Sequence, residues 1–322
     1  MSDIPNATPH RVPIAVIIPT RNRPRVLLRT LESIAAQDLQ PEEVVVIDGS
    51  DEGARIGAEE VRHCGLSFPV SLRRADVISA AGQRNQGVRL TVQPIVGFFD
   101  DDIILRSGCF RELFRAIDGD PTVGAVGASI ENQSYRPPKR SLKWLLDRLA
   151  DRPGPSYEGR VIGPALNFLP EFRPGNDASQ VDWLSTTCSL YRRAAMPLPP
   201  FSEFFTGYSL MEDLALSLEI GKRWRLLYVH AARIYHDSQP ATHKNDPNIR
   251  NRMEVVNRHY VMTRILKKNR LSDYIKLVVW EFAQSGFLFL QTADLRATIF
   301  DIWGRVLGFA AVVRRRERGR AT

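Results

Sequence analysis

The sequence of 322 residues predicts an α/β fold in which helices flank a mostly parallel central sheet, with a helical appendage at the C-terminus. Two observations predict this fold. Short apolar runs alternate with stretches of helical periodicity over about the first hundred residues, and the pattern changes after about residue 244 to three basic, amphipathic stretches. We therefore divide the chain into a domain over residues 1–243 and a basic helical region over residues 244–322.

Four strands and three helices alternate in the first hundred residues. Pro24 opens the first helix, and the residues before Asp48 form a second apolar strand with a glycine-containing turn behind it. A helix near Gly57 to Cys64 precedes a strand around Phe68 to Arg73. The next helix and strand are "SAAGQRNQGVRLTV" and "PIVGFF". This order implies right-handed crossovers between parallel strands, with ligands bound at their carboxyl ends.

The second half of the sequence is less regular. We expect a strand over Val123 to Ile130, a short helix in "SLKWLLDRLA" and a loop rich in Pro and Gly from Asp151 to Gln180. The segment "VDWLSTTCSLYRR" is typical of a strand, "SLMEDLALSLEIGKRW" of a helix and "RLLYVH" of a last strand. The three basic helical stretches that follow are joined near Asn269 and Thr292.

The net charge of +8 is concentrated at the C-terminal end of the chain. From Arg250 onward there are 15 Lys and Arg against 6 Asp and Glu, which is +9, so residues 1–249 carry about −1. Because the basic residues alternate with apolar runs such as "YIKLVVWEFAQSGFLFL", this region fits an anionic membrane surface at least as well as a nucleic acid. Packing as a helical appendage or as a dimer surface is an equal alternative.

The cysteines and the N-terminal stretch indicate the cellular compartment in which we expect the protein. Cys64, Cys109 and Cys188 lie far apart, which disfavours a disulfide framework and favours a reducing compartment. The first twenty residues do not have the pattern of a signal peptide. We expect a cytoplasmic protein, with peripheral contact at the inner face of the membrane if the basic helices bind lipid.

Three consecutive carboxylates, Asp100, Asp101 and Asp102, directly follow the apolar strand of Ile95 to Phe99. Two carboxylates about 5 Å apart repel by about 3 kcal/mol at an effective dielectric near 20. A positive partner is therefore expected there, and oxygen ligands of this kind suit Mg²⁺ or Mn²⁺ bound together with substrate phosphates.

Other acidic residues stand at predicted strand ends or helix starts. Asp48 ends the second strand, and Glu212 and Asp213 open a helix, where turn formation and helix capping are the ordinary explanations. His236, soon after a late strand, would add a nitrogen ligand and favour Mn²⁺, although a lone histidine is more often simply packed or exposed.

Six segments together resemble the family 2 glycosyltransferases, which are inverting enzymes with a GT-A fold built on a Rossmann-like sheet. They occur in the family's order over about residues 12–237, and they are "VIIPTRNRPRVLLRTLESIAAQ", "VVVIDGSDE", "AAGQRNQGV", "GFFDDDI", "DWLSTTCSLYRR" and "MEDLALSLEIGKRWRLLYVHAARIYH". The resemblance implies transfer of a sugar from a nucleoside-diphosphate sugar to a hydroxyl of a saccharide or lipid-linked acceptor. UDP, dTDP and GDP all remain open as the donor nucleotide.

The resemblance also implies roles on the donor side. Thr20, Asp48 and Arg84 match positions that contact the nucleotide. Asp100 to Asp102 match the DxD motif: Asp102 and Asp100 as ligands of Mn²⁺ or Mg²⁺, and Asp100 or Asp101 near the ribose. His236 matches a histidine that reaches the metal.

On the acceptor side, Asp213 matches the general base, with Glu212 as the residue that shares this task or orients the acceptor. Asp182 and Trp183 match the segment that lines the acceptor site, where an aromatic ring can stack on a sugar.

A sugar-nucleotide-forming nucleotidyltransferase is the alternative activity, since it also uses acidic strand ends and Mg²⁺. It would need a glycine-rich loop after the first strand, and "PTRNRPR" contains no glycine. An aspartyl phosphatase would need a second Asp two residues after Asp48, where Ser50 stands. A protein that only binds nucleic acid or membrane leaves the acidic strand ends unexplained, so no nucleic-acid partner is expected, while a homo-oligomer stays open.

Overall fold

The computed structural model describes residues 10–175, 177–239 and 246–318, without the side chains of residues 247 and 315–318. Its described strands form one sheet of nine and a separate pair. The strands are β1 (His10–Thr20), β2 (Leu39–Asp48), β3 (Val70–Arg74), β4 (Ile95–Phe99), β5 (Ile103–Leu105), β6 (Val123–Ile130), β7 (Val161–Ile162), β8 (Leu166–Asn167), β9 (Ala178–Gln180), β10 (Cys188–Arg192) and β11 (Arg225–His236).

The large sheet has the order β3-β2-β1-β4-β10-β6-β11-β5, with β9 also paired to β11. The predicted βαβαβαβ unit is confirmed, because β3, β2, β1 and β4 are parallel neighbours. Strand β10 is antiparallel to both β4 and β6, whereas β6 and β11 are parallel. The sheet is therefore parallel in its first half and mixed in its second. Of "VDWLSTTCSLYRR", only Cys188–Arg192 is a strand.

Six α-helices lie within the described part of residues 10–239; all but the fifth, which packs in a separate cluster with Ile162 and Leu166, bury apolar side chains beside the large sheet. They are α1 (Pro24–Ala35), α2 (Ala58–His63), α3 (Ala80–Arg89), α4 (Cys109–Asp118), α5 (Arg140–Leu149) and α6 (Glu212–Ile220). In α1, Pro24 occupies the first turn, and Leu27, Leu31 and Ile34 are buried, as the periodicity predicts. Helix α4 was not among the predicted helices, although Phe110, Leu113 and Ile117 give it a buried face.

The sheet separates two hydrophobic clusters. One holds Leu27 and Leu31 of α1 with Phe110 and Leu113 of α4, and the other holds Ala81 of α3 and residues of α6. Helix α3 approaches β1 closely because residue 87 is glycine: a β-carbon there would overlap the side chain of Ile17. This contact sets the position of the helix that carries Arg84.

Three helical segments follow, as predicted: α7 (Pro247–Tyr260), α8 (Leu271–Thr292) and α9 (Leu295–Arg318), with a π-helical turn over Val261–Ile265. Asp246 caps α7 by accepting a hydrogen bond from the Asn248 N–H at 2.9 Å. Val261, Met262 and Leu277 are buried in the same cluster as α3 and α6. Among the described residues, none of the helices combines the length and apolar character needed to cross a membrane.

Candidate active site

The predicted site residues come from separate elements whose ends meet along one edge of the sheet. Asp48 is the last residue of β2, Asp100 directly follows β4, and His236 is the last residue of β11. Glu212 and Asp213 form the first turn of α6. The mostly parallel strands thus bring together side chains that lie more than a hundred residues apart in sequence.

Asp100, Asp102 and His236 form the cluster that could hold a metal ion. Each offers one ligand atom, and these atoms all lie within 4.8 Å of one another. His236 Nε2 lies 3.0 Å from Asp102 Oδ1. Two carboxylate oxygens and one imidazole nitrogen fit Mn²⁺ or Mg²⁺, and the nitrogen suits Mn²⁺ better. The same three residues were the metal ligands implied by the sequence resemblance.

His236 is held from its other side by residues that the sequence did not reveal. Gln133 Nε2 lies 3.0 Å from His236 Nδ1. Asn132 donates to the His236 carbonyl at 2.9 Å and accepts from its backbone N–H at 3.1 Å. Partners of this kind fix the orientation of a ligating ring. The only signal in the sequence was the polar stretch "ENQS" directly after β6.

Arg23 is the positive partner that the acidic triplet requires. Its Nη1 lies 3.2 Å from Asp101 Oδ1 and 3.2 Å from Asp102 Oδ2, and its side chain is largely buried. Sequence analysis missed this residue, although it lies in "PTRNRPR", the segment that follows β1. A guanidinium at this point offsets part of the repulsion between the carboxylates.

Asp101 contacts the end of β1. Its Oδ2 accepts a hydrogen bond from the Thr20 hydroxyl at 2.7 Å, and its carbonyl accepts one from the Thr30 hydroxyl at 2.7 Å. Burial, with a smaller contribution from the neighbouring Asp102, raises the pKa of Asp101 to about 6, although the Thr20 hydrogen bond and Arg23 oppose the shift. Thr20 and Asp101 therefore hold each other's side chains in place. The contacts of both residues with the nucleotide stay predictions.

Arg84 joins the two acidic groups of the site. Its Nη2 lies 2.7 Å from Asp100 Oδ1, and its Nη1 lies 2.7 Å from Glu212 Oε1. Burial alone would lower the pKa of Arg84, but the carboxylates of Asp100 and Glu212 raise it, so the guanidinium stays charged. Only 3% of the Arg84 surface is exposed, so Arg84 fixes Asp100 and Glu212 from within the protein. A direct contact of Arg84 with the nucleotide stays a prediction.

Glu212 and Asp213 differ in their partners. Glu212 is buried and engaged with Arg84, whereas Asp213 is half-buried and accepts a hydrogen bond from the Leu214 N–H at 2.7 Å. Within the described residues, Asp213 has no ion pair closer than 4 Å. Burial raises the pKa of Asp213 to about 6, and it also raises the pKa of Glu212, although the neighbouring Arg84 opposes that shift. A carboxylate with a pKa near 6 is a competent general base at neutral pH.

The remaining predicted site residues make hydrogen bonds to backbone groups of the protein. Asp48 is buried and accepts a hydrogen bond from the Ser50 N–H at 2.8 Å, which shapes the turn after β2. Asp182 is exposed and accepts from the Val161 N–H at 2.9 Å. Trp183 is buried, and its indole N–H donates to the Phe168 carbonyl at 2.8 Å. Contacts of Asp48 with a base and of Asp182 and Trp183 with an acceptor stay predictions.

Comparison with models of known protein families identifies the family of this chain. The sequence model described as Glycosyl transferase family 2 matches residues 15–196, which is more than half of the chain. The chain belongs to glycosyl transferase family 2. The resemblance inferred from the six segments is thereby confirmed, and the match includes Asp48, Arg84 and the acidic triplet.

Two curated relatives are similar over about two thirds of this chain. A validoxylamine A glucosyltransferase from Streptomyces hygroscopicus subsp. limoneus is 28% identical over 236 residues, which is 68% of this chain and 50% of the relative. The enzyme of the same name from Streptomyces hygroscopicus subsp. jinggangensis is 29% identical over 235 residues, or 67% and 53%. The chain spans about half the length of these relatives.

Solved structures support the predicted GT-A fold. The mannosyltransferase PcManGT from Pyrobaculum calidifontis, in complex with GDP-Man and Mn²⁺, has a TM-score of 0.55 at 16% identity, covering 97% of this chain and 89% of that one. S. aureus TarS 1-349 in complex with UDP-GlcNAc has a TM-score of 0.53 at 16% identity, covering 90% and 79%. The α/β architecture with helices around a central sheet is therefore the GT-A fold.

Proposed function

We propose that this protein is an inverting glycosyltransferase, which moves a sugar from a nucleoside-diphosphate sugar to a hydroxyl of a saccharide or lipid-linked acceptor. The observation that carries the proposal is the pairing of two chemical groups at one sheet edge. A ligand set for a divalent cation, Asp100, Asp102 and His236, is joined through Arg84 to Glu212, which precedes Asp213 in the first turn of α6. Membership of glycosyl transferase family 2 supports the same activity.

The donor half of the site consists of the cation ligands and the ends of β1 and β2. Mn²⁺ or Mg²⁺ held by Asp100, Asp102 and His236 would supply positive charge for the donor diphosphate and for the departing nucleoside diphosphate. Asp48 and Thr20, at the ends of β2 and β1, are the proposed contacts with the nucleotide. A UDP, dTDP or GDP donor is compatible with these groups, since each base offers an N–H to a carboxylate acceptor.

Asp213 is the proposed general base. In an inverting transfer, the acceptor oxygen attacks the anomeric carbon from the side opposite the departing diphosphate, and a carboxylate removes the acceptor proton. Asp213 suits this role because its oxygens are not committed to an ion pair within the described structure and because its pKa is near 6. Glu212 is committed to Arg84 and serves to position the base.

The acceptor contributes a hydroxyl near Asp213, with Asp182 and Trp183 on the acceptor side of the site. The curated relatives are named validoxylamine A glucosyltransferase, so a nucleotide-linked glucose is the first donor to test. Cytoplasmic localisation and self-association remain predictions.

The test is incubation of the protein with UDP-, dTDP- and GDP-sugars, Mn²⁺ and saccharide or lipid-linked acceptors. Release of nucleoside diphosphate with a product of inverted anomeric configuration, determined by NMR, is expected. Retention of configuration would contradict the inverting mechanism. Release of pyrophosphate from a nucleoside triphosphate and a sugar phosphate would instead identify the alternative, a nucleotidyltransferase.

A further inference from the structure

Helix α8 has two contrasting faces. Leu277, Glu281 and Ser285, spaced at one helical turn, are buried against the rest of the protein. An adjacent face is apolar yet exposed, with side chains between 38% and 79% accessible. Its members are Leu271, Ile275, Val278, Phe282, Phe289 and Leu290. Their spacing of three, four and seven residues places them on one side of the helix.

Helix α9 repeats this arrangement. Asp301 and Arg305 are buried, one turn apart. The exposed apolar side chains, between 39% and 63% accessible, are Leu295, Ile299, Phe300, Trp303, Val306 and Val313. Most of them again share one side of the helix.

The two exposed faces are neighbours. Only Ala293 and Asp294 separate α8 from α9, so the helices form a hairpin. The rings of Phe282 and Phe309 stack with centroids 6.1 Å apart and planes 14° apart. Phe309 lies one turn from Val306 and Val313, so this stack joins the apolar face of α8 to that of α9. We call the twelve exposed side chains, together with Phe309, the apolar face of the hairpin.

The exposed charges of the segment that carries the apolar face are mostly positive. Over residues 264–314, the exposed charged side chains are five basic residues against one acidic residue, Asp294. The basic residues are Arg264, Lys267, Arg270, Arg296 and Arg314. Soluble monomers rarely leave so much contiguous apolar surface open, so a partner surface is expected.

The positive charge of this segment favours one of two possible partners, a second copy of the chain or an anionic lipid surface. A second copy docked through the same face would bring two equal basic sets together, because a two-fold interface pairs identical patches. An anionic lipid surface instead complements the basic residues, each of which contributes about 1 kcal/mol near such a surface. Aromatic side chains such as Trp303 suit the boundary between lipid head groups and acyl chains.

We infer that the hairpin of α8 and α9 is a peripheral docking surface for an anionic phospholipid bilayer, with its apolar face buried among the acyl chains nearest the head groups. The helices lie along the surface, since another face of each carries buried ionic side chains: Glu281 and Arg305 pair with each other, and Glu281 also pairs with Arg258 of α7. This inference is independent of the proposed transferase chemistry.

The test uses the full chain and large unilamellar vesicles, without sugar nucleotide. We expect co-sedimentation with vesicles of phosphatidylcholine and phosphatidylglycerol, little with phosphatidylcholine alone, and weaker binding as salt rises. Replacing one exposed apolar residue on each helix, Leu290→Ser and Trp303→Ser, should weaken partition about tenfold for each side chain. Replacing Arg270 and Arg296 by Gln should weaken it about fivefold for each charge.

The matched control is a double variant of Val92→Ser and Leu198→Ser. These residues are 90% and 84% exposed and apolar, but they lie in loops far from the hairpin in sequence. The control should bind vesicles like the unmodified protein. Circular dichroism and nucleotide binding, measured without vesicles, show whether each variant is folded, and the Gln variant provides a second measurement if the Ser variant is not.

Three results would overturn the inference. The first is that the unmodified protein does not bind vesicles with phosphatidylglycerol. The second is that the Ser and Gln variants bind as tightly as the control. The third is a dimer, measured by light scattering, that Leu290→Ser and Trp303→Ser dissociate while vesicle binding is absent, which would assign the face to a second copy. Because sugar transfer is not part of this measurement, its outcome is separable from that of the proposed function.

Discussion

Arg84 determines how the acidic residues of the site divide their tasks. Its two terminal nitrogens hold Asp100 and Glu212 at 2.7 Å each, so these carboxylates are fixed relative to each other. Asp213, the next residue along α6, is not held in this way among the described contacts. This difference between Glu212 and Asp213 is the reason that we propose Asp213 as the base.

Asp213→Asn should retain nucleotide-sugar binding and lose transfer. The amide keeps the shape of the side chain but cannot remove a proton, so we expect kcat to fall by about 10²–10⁴-fold. Isothermal titration with the donor and Mn²⁺, together with transfer assays, checks both parts. Glu219→Gln is a matched control, since Glu219 lies on the same helix and pairs only with exposed Lys222. A variant with undiminished kcat would contradict the assignment.

The pH dependence of transfer follows from the pKa of Asp213, which burial raises to about 6. The base is active when deprotonated, so kcat/KM should be constant above about pH 6 on the acid side of the profile and fall about tenfold per pH unit below it. A pH profile at saturating Mn²⁺ measures this. An acid limb with its midpoint near pH 4, the ordinary value for an aspartate, would show that Asp213 is not the titrating group.

Asp102→Ala should abolish cation-dependent donor binding. The substitution removes one ligand atom of the cluster and leaves His236 without its 3.0 Å carboxylate partner. A thermal-shift titration with Mn²⁺ and a nucleoside diphosphate should show no stabilisation for the variant. Asp76→Ala, at an exposed aspartate whose side chain pairs with the exposed Arg89, should behave like the unmodified protein. Unchanged donor affinity in Asp102→Ala would contradict the cation site.

At the scale of elements, the site depends on how closely α3 packs on β1. Residue 87 is a glycine inside a helix, where alanine is ordinarily the better helix former. Here the absence of a β-carbon lets the helix approach Ile17, and it thereby positions Arg84 one turn earlier. Met211, with a φ of 71°, turns the chain into α6 and directs Glu212 and Asp213 toward the same edge.

Gly87→Ala should destabilise the protein by about 1–3 kcal/mol, because the new methyl group overlaps Ile17 in a packed interior. Urea denaturation measures the change. Gly286→Ala is the matched control, since Gly286 is also helical but has no atom within 4 Å of an added β-carbon. The control should be neutral or stabilising by up to about 1 kcal/mol. Equal effects at the two sites would exclude the close contact as the cause.

At the scale of the whole molecule, the C-terminal helices are packed onto the α/β domain. The ring of Tyr260 stacks on Phe204 with centroids 4.0 Å apart, and Asn257 donates to the Leu210 carbonyl at 2.7 Å. Arg258 donates to the Ala165 carbonyl at 2.7 Å. Removing these helices would expose the covered surface, so substitutions on the outer face are a cleaner test of lipid binding than truncation. The boundary between residues 243 and 244 lies outside the described residues and stays a prediction.

A buried ionic network holds the three C-terminal helices together. Glu281 is fully buried between Arg258 of α7, at 2.8 Å, and Arg305 of α9. Glu281→Gln should reduce the free energy of unfolding by about 3 kcal/mol, because it leaves two buried guanidinium groups undercompensated. Chemical denaturation measures this, with Glu219→Gln as the exposed control, expected to cost less than about 1 kcal/mol. Equal losses in both variants would contradict a special role for the buried network.

The sequence by itself determined the elements that have a local signature. Apolar runs and helical periodicity gave the βαβαβαβ unit, the C-terminal helices and the resemblance to glycosyl transferase family 2, because these patterns depend on neighbours in the chain. The antiparallel placement of β10 between β4 and β6 lacked such a signature, because strand pairing depends on contacts distant in sequence.

The tertiary structure decided the relations between side chains. It brought His236 to Asp102 across 134 positions of sequence, and it placed Arg23, Gln133 and Arg84 around the acidic residues. It also decided that Glu212 pairs with Arg84 and that the basic helices bury one face and expose the other. Ion pairs and burial form between residues that folding brings close, so a linear pattern identifies the types of residue at a site but does not specify which atoms meet.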